Sequence, residues 1–404
     1  MSDKDALYQK RILKQLYFGS ELSCLEISLL VGKSIPLTTK MLTDLIKKGV
    51  VSESGYAQST GGRRPLMYSL NPEVLYVVAV AMDQFITRIA IMDLHNRIVT
   101  EERIELPLAK NDTALSLLAQ HINSVIERSG IHLNKFVGVG IGMPGFIDVK
   151  KGINYSHLDN DGKNIAHYIS NVVQLPVLID NDSTLLALAE LRFGAARNTK
   201  NTLIINIGWG IGMGMILNGE LYHGNNGFAG EFSHTPLYST NTDLCVCGKV
   251  GCLESEASLL AMINKARQQL AAGRPSMLKD INEHTPLEQA LESVIRAARQ
   301  GDKFSVELLL ESGYAVGRGI AALIHILNPE MIVIGGRGSA AGKIWQTPIQ
   351  QALHEYCIPR LASDTAIEIS KMGYGAELVG AAALVMEHYD KLNSKKEVVA
   401  VAQQ

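Results

Sequence analysis

Val137-Gly-Val-Gly140-Ile-Gly142-Met-Pro144-Gly145 is a buried strand that runs into a glycine turn. Its last six residues match Gly-x-Gly-x-x-Gly, which after a strand suggests a dinucleotide-binding turn. Such a turn must open a helix whose first N–H groups hold a pyrophosphate. Pro144 and the following Phe-Ile-Asp-Val do not open one, so the match is formal only. The strand itself stays, and its neighbours give it a place. Upstream, 74–82, 87–94 and 98–106 read as three consecutive strands, and 113–129 as a helix. Downstream, the strand 176–179 leads into a helix over 183–193. The order βββαβα argues an α/β body.

Further along, 202–207 and 212–217 read as a hairpin, with Asn218-Gly219 as the later turn. Gly208-Trp-Gly210-Ile-Gly212-Met-Gly214 alternates glycine with bulk, which leaves one sheet face bare for a ligand or another backbone. Helices dominate 253–327, and the strand 331–334 ends in Gly335-Gly336. No repeat of solenoid period is present. The polar tail after Lys391 is expected to fray.

The first 71 residues have a different grammar. Leu7, Ile12, Leu13 and Leu16 recur at helical spacing. Leu22-Ser23 caps a second helix bearing Leu25, Ile27, Leu29 and Leu30, which Gly32 breaks. Ser34 starts a third helix, with Pro36 in its first turn and Leu37, Met41, Leu42, Leu45 and Ile46 on one face. Helix, short turn, helix is the helix-turn-helix order. Ser34, Thr38, Thr39, Lys40 and Thr43 are expected on the outward face, where they suit phosphates and base edges. Two short β-runs follow, joined by Gly61-Gly62-Arg63-Arg64. Paired glycines let such a wing tip approach DNA, and paired arginines suit phosphates or a narrow minor groove. The alternative is a solvated basic hairpin in a protein-binding module.

Charge supports the division. The chain has 404 residues and a formal net charge of −2, but residues 1–71 hold ten Lys/Arg against six Asp/Glu. The remainder carries −6, so a basic module sits on an acidic body. Hydrophobic residues make up 47%, which excludes a largely disordered chain. No secretory h-region follows the polar N-terminus, and no apolar run approaches the roughly 20 residues that span a bilayer. Five cysteines make no disulfide framework, and the expected compartment is the cytoplasm.

Three of those cysteines cluster. Glu231-Phe-Ser-His234 precedes Cys245-Val-Cys247-Gly-Lys-Val-Gly-Cys252-Leu-Glu254. One imidazole and three thiolates make a closed tetrahedral set for a structural Zn²⁺, at His234, Cys245, Cys247 and Cys252. The alternative is three buried or redox-active thiols. Asn181, Asp182, Glu231 and Glu254 suit the hydroxyls of a sugar, since carboxylates accept and the amide does both.

Together these motifs resemble the ROK family of repressors and sugar kinases. The resemblance runs through Gly142-x-Pro144-Gly145, Asn181-Asp182, Gly208 to Gly214, Glu231-x-x-His234, the knuckle through Glu254, Asn328-Pro329-Glu330 to Gly336, and Gly375 to Ala383. It implies a two-lobed actin-like ATPase (ribonuclease H-like) fold with a sugar in the cleft. The implied sugar contacts are Asn181, Asp182, Glu231, His234 and Glu254, with His234 also a zinc ligand. A family asparagine falls near His157. Kinases of the family carry Asp-x-Gly-Gly-Thr in the first strand turn, where this chain has Ala81-Met82-Asp83-Gln84-Phe85. Trp209 stands where they usually place threonine. The phosphate loops therefore read as lost, and no catalytic residue is expected.

The expected domains are a winged helix-turn-helix over 1–71, a first lobe over 72–182 completed by a helix at about 376–392, and a second lobe over 183–375 with the knuckle and oligomerisation helices. The expected function is a DNA-binding regulator of carbohydrate genes, of the repressor branch that includes xylose and N-acetylglucosamine repressors. Its expected partners are operator DNA, a sugar or sugar phosphate, and a second copy in a dimer or tetramer. Two rivals remain: a sugar kinase with an accessory DNA-binding head, and a regulator whose partner is a sugar-transport protein.

Overall fold

The computed structural model describes residues 3–58, 64–158, 161–236, 243–279 and 281–392. The chain divides into two compact units, Met1–Asp182 with Leu378–Gln404, and Ser183–Glu377.

The first unit opens with α1 (Asp3–Gly19), β1 (Glu21–Ser23), α2 (Cys24–Leu30), α3 (Ile35–Lys47), β2 (Val51–Tyr56) and β3 (Leu66–Leu70). Ser23 and Glu26 form a reciprocal capping box that starts α2. The buried positions of α3 are Thr38, Met41, Leu42 and Leu45, a helical stripe, and Ile12, Leu13, Leu16 and Ile27 are buried apolar positions of α1 and α2 that pack in the same head. The hairpin of β2 and β3 gains a third strand in β1, in the order β1-β3-β2. Sequence periodicity misses β1 because three residues show no alternation.

Next come β4 (Tyr76–Met82), β5 (Ile86–Asp93), β6 (Ile98–Glu105), α4 (Ala114–Arg128), β7 (Phe136–Met143), β8 (Ile147–Asp148), β9 (Ile153–Asn154), α5 (Ile165–Val173) and β10 (Val177–Asn181). The five-stranded sheet runs β10-β7-β4-β5-β6. Strands β4 and β7 are buried along their whole length, as unbroken apolar runs in a parallel pair require.

The second unit contains α6 (Asp182–Phe193), β11 (Thr202–Ile207), β12 (Ile211–Leu217), β13 (Glu220–Leu221), α7 (Leu253–Ala257), α8 (Leu259–Ala271), α9 (Leu287–Arg299), α10 (Lys303–Leu327), β14 (Met331–Gly335), α11 (Gln346–Tyr356), α12 (Pro359–Asp364) and β15 (Ala366–Ile369). Its sheet runs β13-β12-β11-β14-β15. In both sheets the first three strands are an antiparallel meander and the next two add in parallel beside the first. One topology is thus used twice, which is the duplicated plan of the actin-like fold.

The final helix, α13 (Ala376–Glu387), starts in the second unit and covers the first unit's sheet. An ideal Cβ on Gly140 would lie 1.9 Å from the Ala381 carbonyl oxygen. The glycines of β7 therefore admit a helix, not a cofactor. The bare face of β12 has the same cause. Side chains at Gly212 or Gly214 would strike Ser183 and Ala187 of α6.

Three basic residues of α1 are spent within the first unit. Arg11 Nε lies 3.4 Å from Asp390, and Lys14 Nζ lies 3.1 Å from Glu387. Lys10 donates to the Leu392 carbonyl. Part of the head's positive charge thus fastens it to the body, a pairing that a count of charges does not reveal.

Helix α10 is capped by the buried Asp302, whose carboxylate accepts from Ser305 N–H (3.0 Å), Ser305 Oγ (2.7 Å), Ser276 Oγ (2.8 Å) and Met277 N–H (3.0 Å). Burial opposes the charge, but these donors outweigh it and hold the carboxyl at about 2. A carboxyl depressed in the folded state adds stability above its unfolded value, and that stability is lost as pH falls through the folded one. Asp302→Asn is expected to lower stability at neutral pH by about 2 kcal/mol and to flatten the acid limb between roughly pH 4 and 2. Urea midpoints across that range check both.

Among the described residues, no helix is long and apolar enough to cross a membrane.

Candidate functional site

In the first unit, β7 and β10 end side by side in parallel, where loops outside carboxyl strand ends commonly hold ligands. Asn181 Nδ2 donates to the Gly145 carbonyl (3.2 Å), and Asn154 Nδ2 to that of Pro144 (3.0 Å). Asn154 Oδ1 in turn accepts from the N–H groups of Ser156 (2.9 Å) and His157 (3.0 Å). Gly145 has φ +98°, and a Cβ there would meet Ser156, so only glycine closes this turn. Asp182 follows at the start of α6. His157 is half-buried, and burial pulls its imidazole below the usual range. The loop carrying Asn181 and the loop carrying His157 are therefore braced together through Pro144-Gly145.

In the second unit, Glu231 precedes and His234 ends a short 3-10 turn, Phe232–His234. His234 Nδ1 lies 3.5 Å from Cys245 Sγ, while its Nε2 lies 3.7 Å from Glu231 Oε2. The two ring nitrogens thus face different groups. Glu254 sits in α7, directly after the knuckle, and accepts from Ile211 N–H at 3.1 Å. Burial pushes the Glu231 carboxyl up, His234 opposes this, and Glu254 adds to it.

The ligand atoms of His234, Cys245, Cys247 and Cys252 all lie within 4.8 Å of one another, so the group could hold a metal ion. Cys247 and Cys252 sulfurs are 3.5 Å apart. Zinc–ligand bonds of about 2.0–2.3 Å imply tetrahedral edges of about 3.5–3.8 Å. The donor set and its spacing fit zinc. Gly248 at φ +81° and Gly251 at φ +82° turn the loop between the thiols. Burial pushes the Cys252 thiol up to about 12, so a metal must displace its proton.

The turns at Asp83 and Trp209 contain their own occupants. In the β4–β5 turn, Asp83 Oδ1 accepts from the N–H groups of Phe85 (2.7 Å) and Ile86 (2.8 Å). This carboxylate thus takes the turn's own donors. In the second unit, Trp209 is buried, and the Arg337 guanidinium lies 5.1 Å from its ring centroid and 3.9 Å from that of Tyr374. Glu288 and the Tyr374 hydroxyl also bind Arg337. Nothing in the composition marks that stack in advance.

On the head, Ser34, Thr39, Lys40 and Thr43 are exposed. Thr38 is not. It is fully buried, with its hydroxyl 2.7 Å from Tyr8 Oη and donating to the Ser34 carbonyl. Its place in the apolar stripe of α3 overrides its polarity, and the expectation that it faces a groove is corrected. Lys33 and Lys47 are exposed near the same helix and extend the candidate surface. Arg64 is exposed at the wing, while Gly61, Gly62 and Arg63 lie outside the described residues.

The chain is 29% identical over 383 residues to a xylose repressor of Caldicellulosiruptor bescii, across 93% of this chain and 94% of the repressor. It is 34% identical over 304 residues to a glucokinase of Halalkalibacterium halodurans, across 73% of this chain and 91% of the kinase. A solved ROK family transcriptional regulator, a homologue of the E. coli MLC protein, matches with TM-score 0.75 and 25% identity over 96% of this chain and 98% of that one. The ROK family model matches residues 77–388, from the first strand of the body to the end of its last helix. That match spans well over half of the chain, and the chain belongs to the ROK family.

Proposed function

We propose that this protein is a sugar-responsive transcriptional repressor. One observation carries the reading. Residues 77–404 amount to 328 of 404 positions, so a match to 93% of the chain must enter the head, and the relative matched to that extent is a repressor. The kinase relative covers 73%. The occupied turn at Asp83 and the stacked Trp209 support the absence of phosphoryl transfer, because a phosphate would have to displace an internal partner at each.

In this reading Ser34, Thr39 and Lys40 approach the major groove, and Gly61, Gly62, Arg63 and Arg64 the minor groove or its phosphates. Asn181, Asp182, Glu231, His234 and Glu254 bind the sugar. His234, Cys245, Cys247 and Cys252 hold a structural zinc, whose contribution is to fix the loop that presents His234 and Glu254. The active species is a homodimer or tetramer on a palindromic operator.

Duplexes selected by the full-length chain from a random-sequence pool supply the probe. Lys40→Ala is expected to weaken binding and to reduce the slope of log K against log salt by about 1. An unchanged affinity and slope would remove α3 from the interface. Incubation with ATP and a hexose panel is expected to give no sugar phosphate, and turnover at an enzyme-like rate would favour the kinase reading.

A further inference from the structure

We infer that Lys14 is a positioning residue, which ties the DNA-reading head to the end of α13 so that the sugar's effect reaches the head through that helix. This rests on the proposed function, since it presumes a sugar that alters DNA binding. Three observations carry it.

The first is the joint itself. Lys10, Arg11 and Lys14 lie on α1 at spacings that bring them to one side. They meet the end of α13 and the residues just after it. Lys14 Nζ lies 3.1 Å from Glu387 and 3.8 Å from Asp390, and donates to the Glu387 carbonyl. Arg11 reaches Asp390 at 3.4 Å, and Lys10 lies 5.4 Å from the Tyr389 ring centroid. The side chains of Lys14, Glu387 and Asp390 are only 20%, 17% and 14% exposed. Surface pairs hold little, but charges this far out of water are strongly penalised when one partner leaves.

The second is the absence of slack along α13. Its Ala381 carbonyl occupies the space a side chain on Gly140 would need, and its Val385 packs over Gly138. Strand β7 then runs into Pro144-Gly145, the loop braced to Asn154 and Asn181. A shift of that loop and a shift of α13 are thus carried by one close-packed strand.

The third is the path of the chain. It passes between the two units in only two places, within α6 and within α13. Helix α13 carries the chain out of the second unit, and its last turn is fastened to α1 within the first.

A separate anchor allows the test. Tyr17 donates to Asn96, and His95 Nε2 lies 2.9 Å from the Leu70 carbonyl. The head therefore keeps one attachment to the β5–β6 turn when Lys14 is changed.

The experiment uses the full-length chain and a labelled duplex selected by the wild type. Anisotropy gives Kd with and without D-xylose, D-glucose, N-acetyl-D-glucosamine and the 6-phosphates of the last two. Wild type is expected to show a sugar-dependent change of about 5–150-fold, and Lys14→Glu a change within about twofold of none. The sugar's thermal shift should persist in Lys14→Glu, and Lys14→Glu with Glu387→Lys should restore most of the response. If Lys14→Glu does not fold, Lys14→Met, which keeps the apolar stem, decides the matter. A variant that binds DNA more weakly but keeps the wild-type sugar ratio overturns the inference, as does a reversed pair that restores stability without the ratio. If none of these sugars changes wild-type affinity, the effector reading itself fails and takes the inference with it, and that failure is recognised from the wild type alone.

Discussion

Cys252→Ser is expected to abolish zinc binding at the proposed knuckle site and to lower the unfolding midpoint of the chain. Cys252 is fully buried, precedes α7 directly, and places its sulfur 3.5 Å from both Cys247 Sγ and the His234 carbonyl. Structural zinc supplies folding free energy outright, so the loss should reach at least about 3 kcal/mol, or roughly 6–12 °C in a unit of this size. A chelator should do the same to wild type. Acid should act alike, because protons compete for thiols that burial has already raised, and zinc affinity falls as pH falls. Loss of the loop's support should also remove the sugar-induced thermal shift, since Glu254 and His234 lie at its two ends. DNA binding by the head should persist. Metal analysis and thermal scans read the outcome, and a metal-free wild type with an unchanged midpoint in the variant would contradict it.

Gly140→Ala is expected to be still more disruptive. The added methyl would lie 1.9 Å from the Ala381 carbonyl oxygen and 2.8 Å from its carbon. Overpacking a side chain can be relieved by a rotamer change, but here both walls are backbone. Either β7 or α13 must move, and a cost above about 4 kcal/mol places this among the exceptional substitutions. Because α13 also holds the head, DNA binding should weaken with stability. A urea midpoint that moves by less than the equivalent of about 1 kcal/mol would show that the helix does not sit on the strand as described.

Much of this was open to reading in the sequence, and the omissions have causes. Long apolar runs exposed β4, β5 and β7, and the head's third helix followed from its own stripe. The same stripe placed Thr38 at the buried spacing with Met41, Leu42 and Leu45, so the periodicity outranked the hydroxyl. Strands β8 and β9, of two residues each, offer no period to detect. The glycines of β7 look like a ligand motif because their true neighbour, α13, lies more than 230 residues away in the chain. Ligand spacing disclosed the three cysteines, whereas the approach of His234 to them depends on how the intervening loop closes. Pairing of Lys10, Arg11 and Lys14 with the end of α13 and the residues just after it is equally nonlocal. The near-neutral total charge therefore concealed two things: a basic head, and the use of part of that charge inside the molecule.

One sugar is expected to change how tightly the full-length chain holds DNA. The most direct test is the Kd for a selected duplex, measured at fixed salt across a panel of sugars and sugar phosphates. The account predicts that at least one panel member shifts Kd by about 5–150-fold while its neighbours do not. A Kd for the selected duplex that every member leaves unmoved would contradict it.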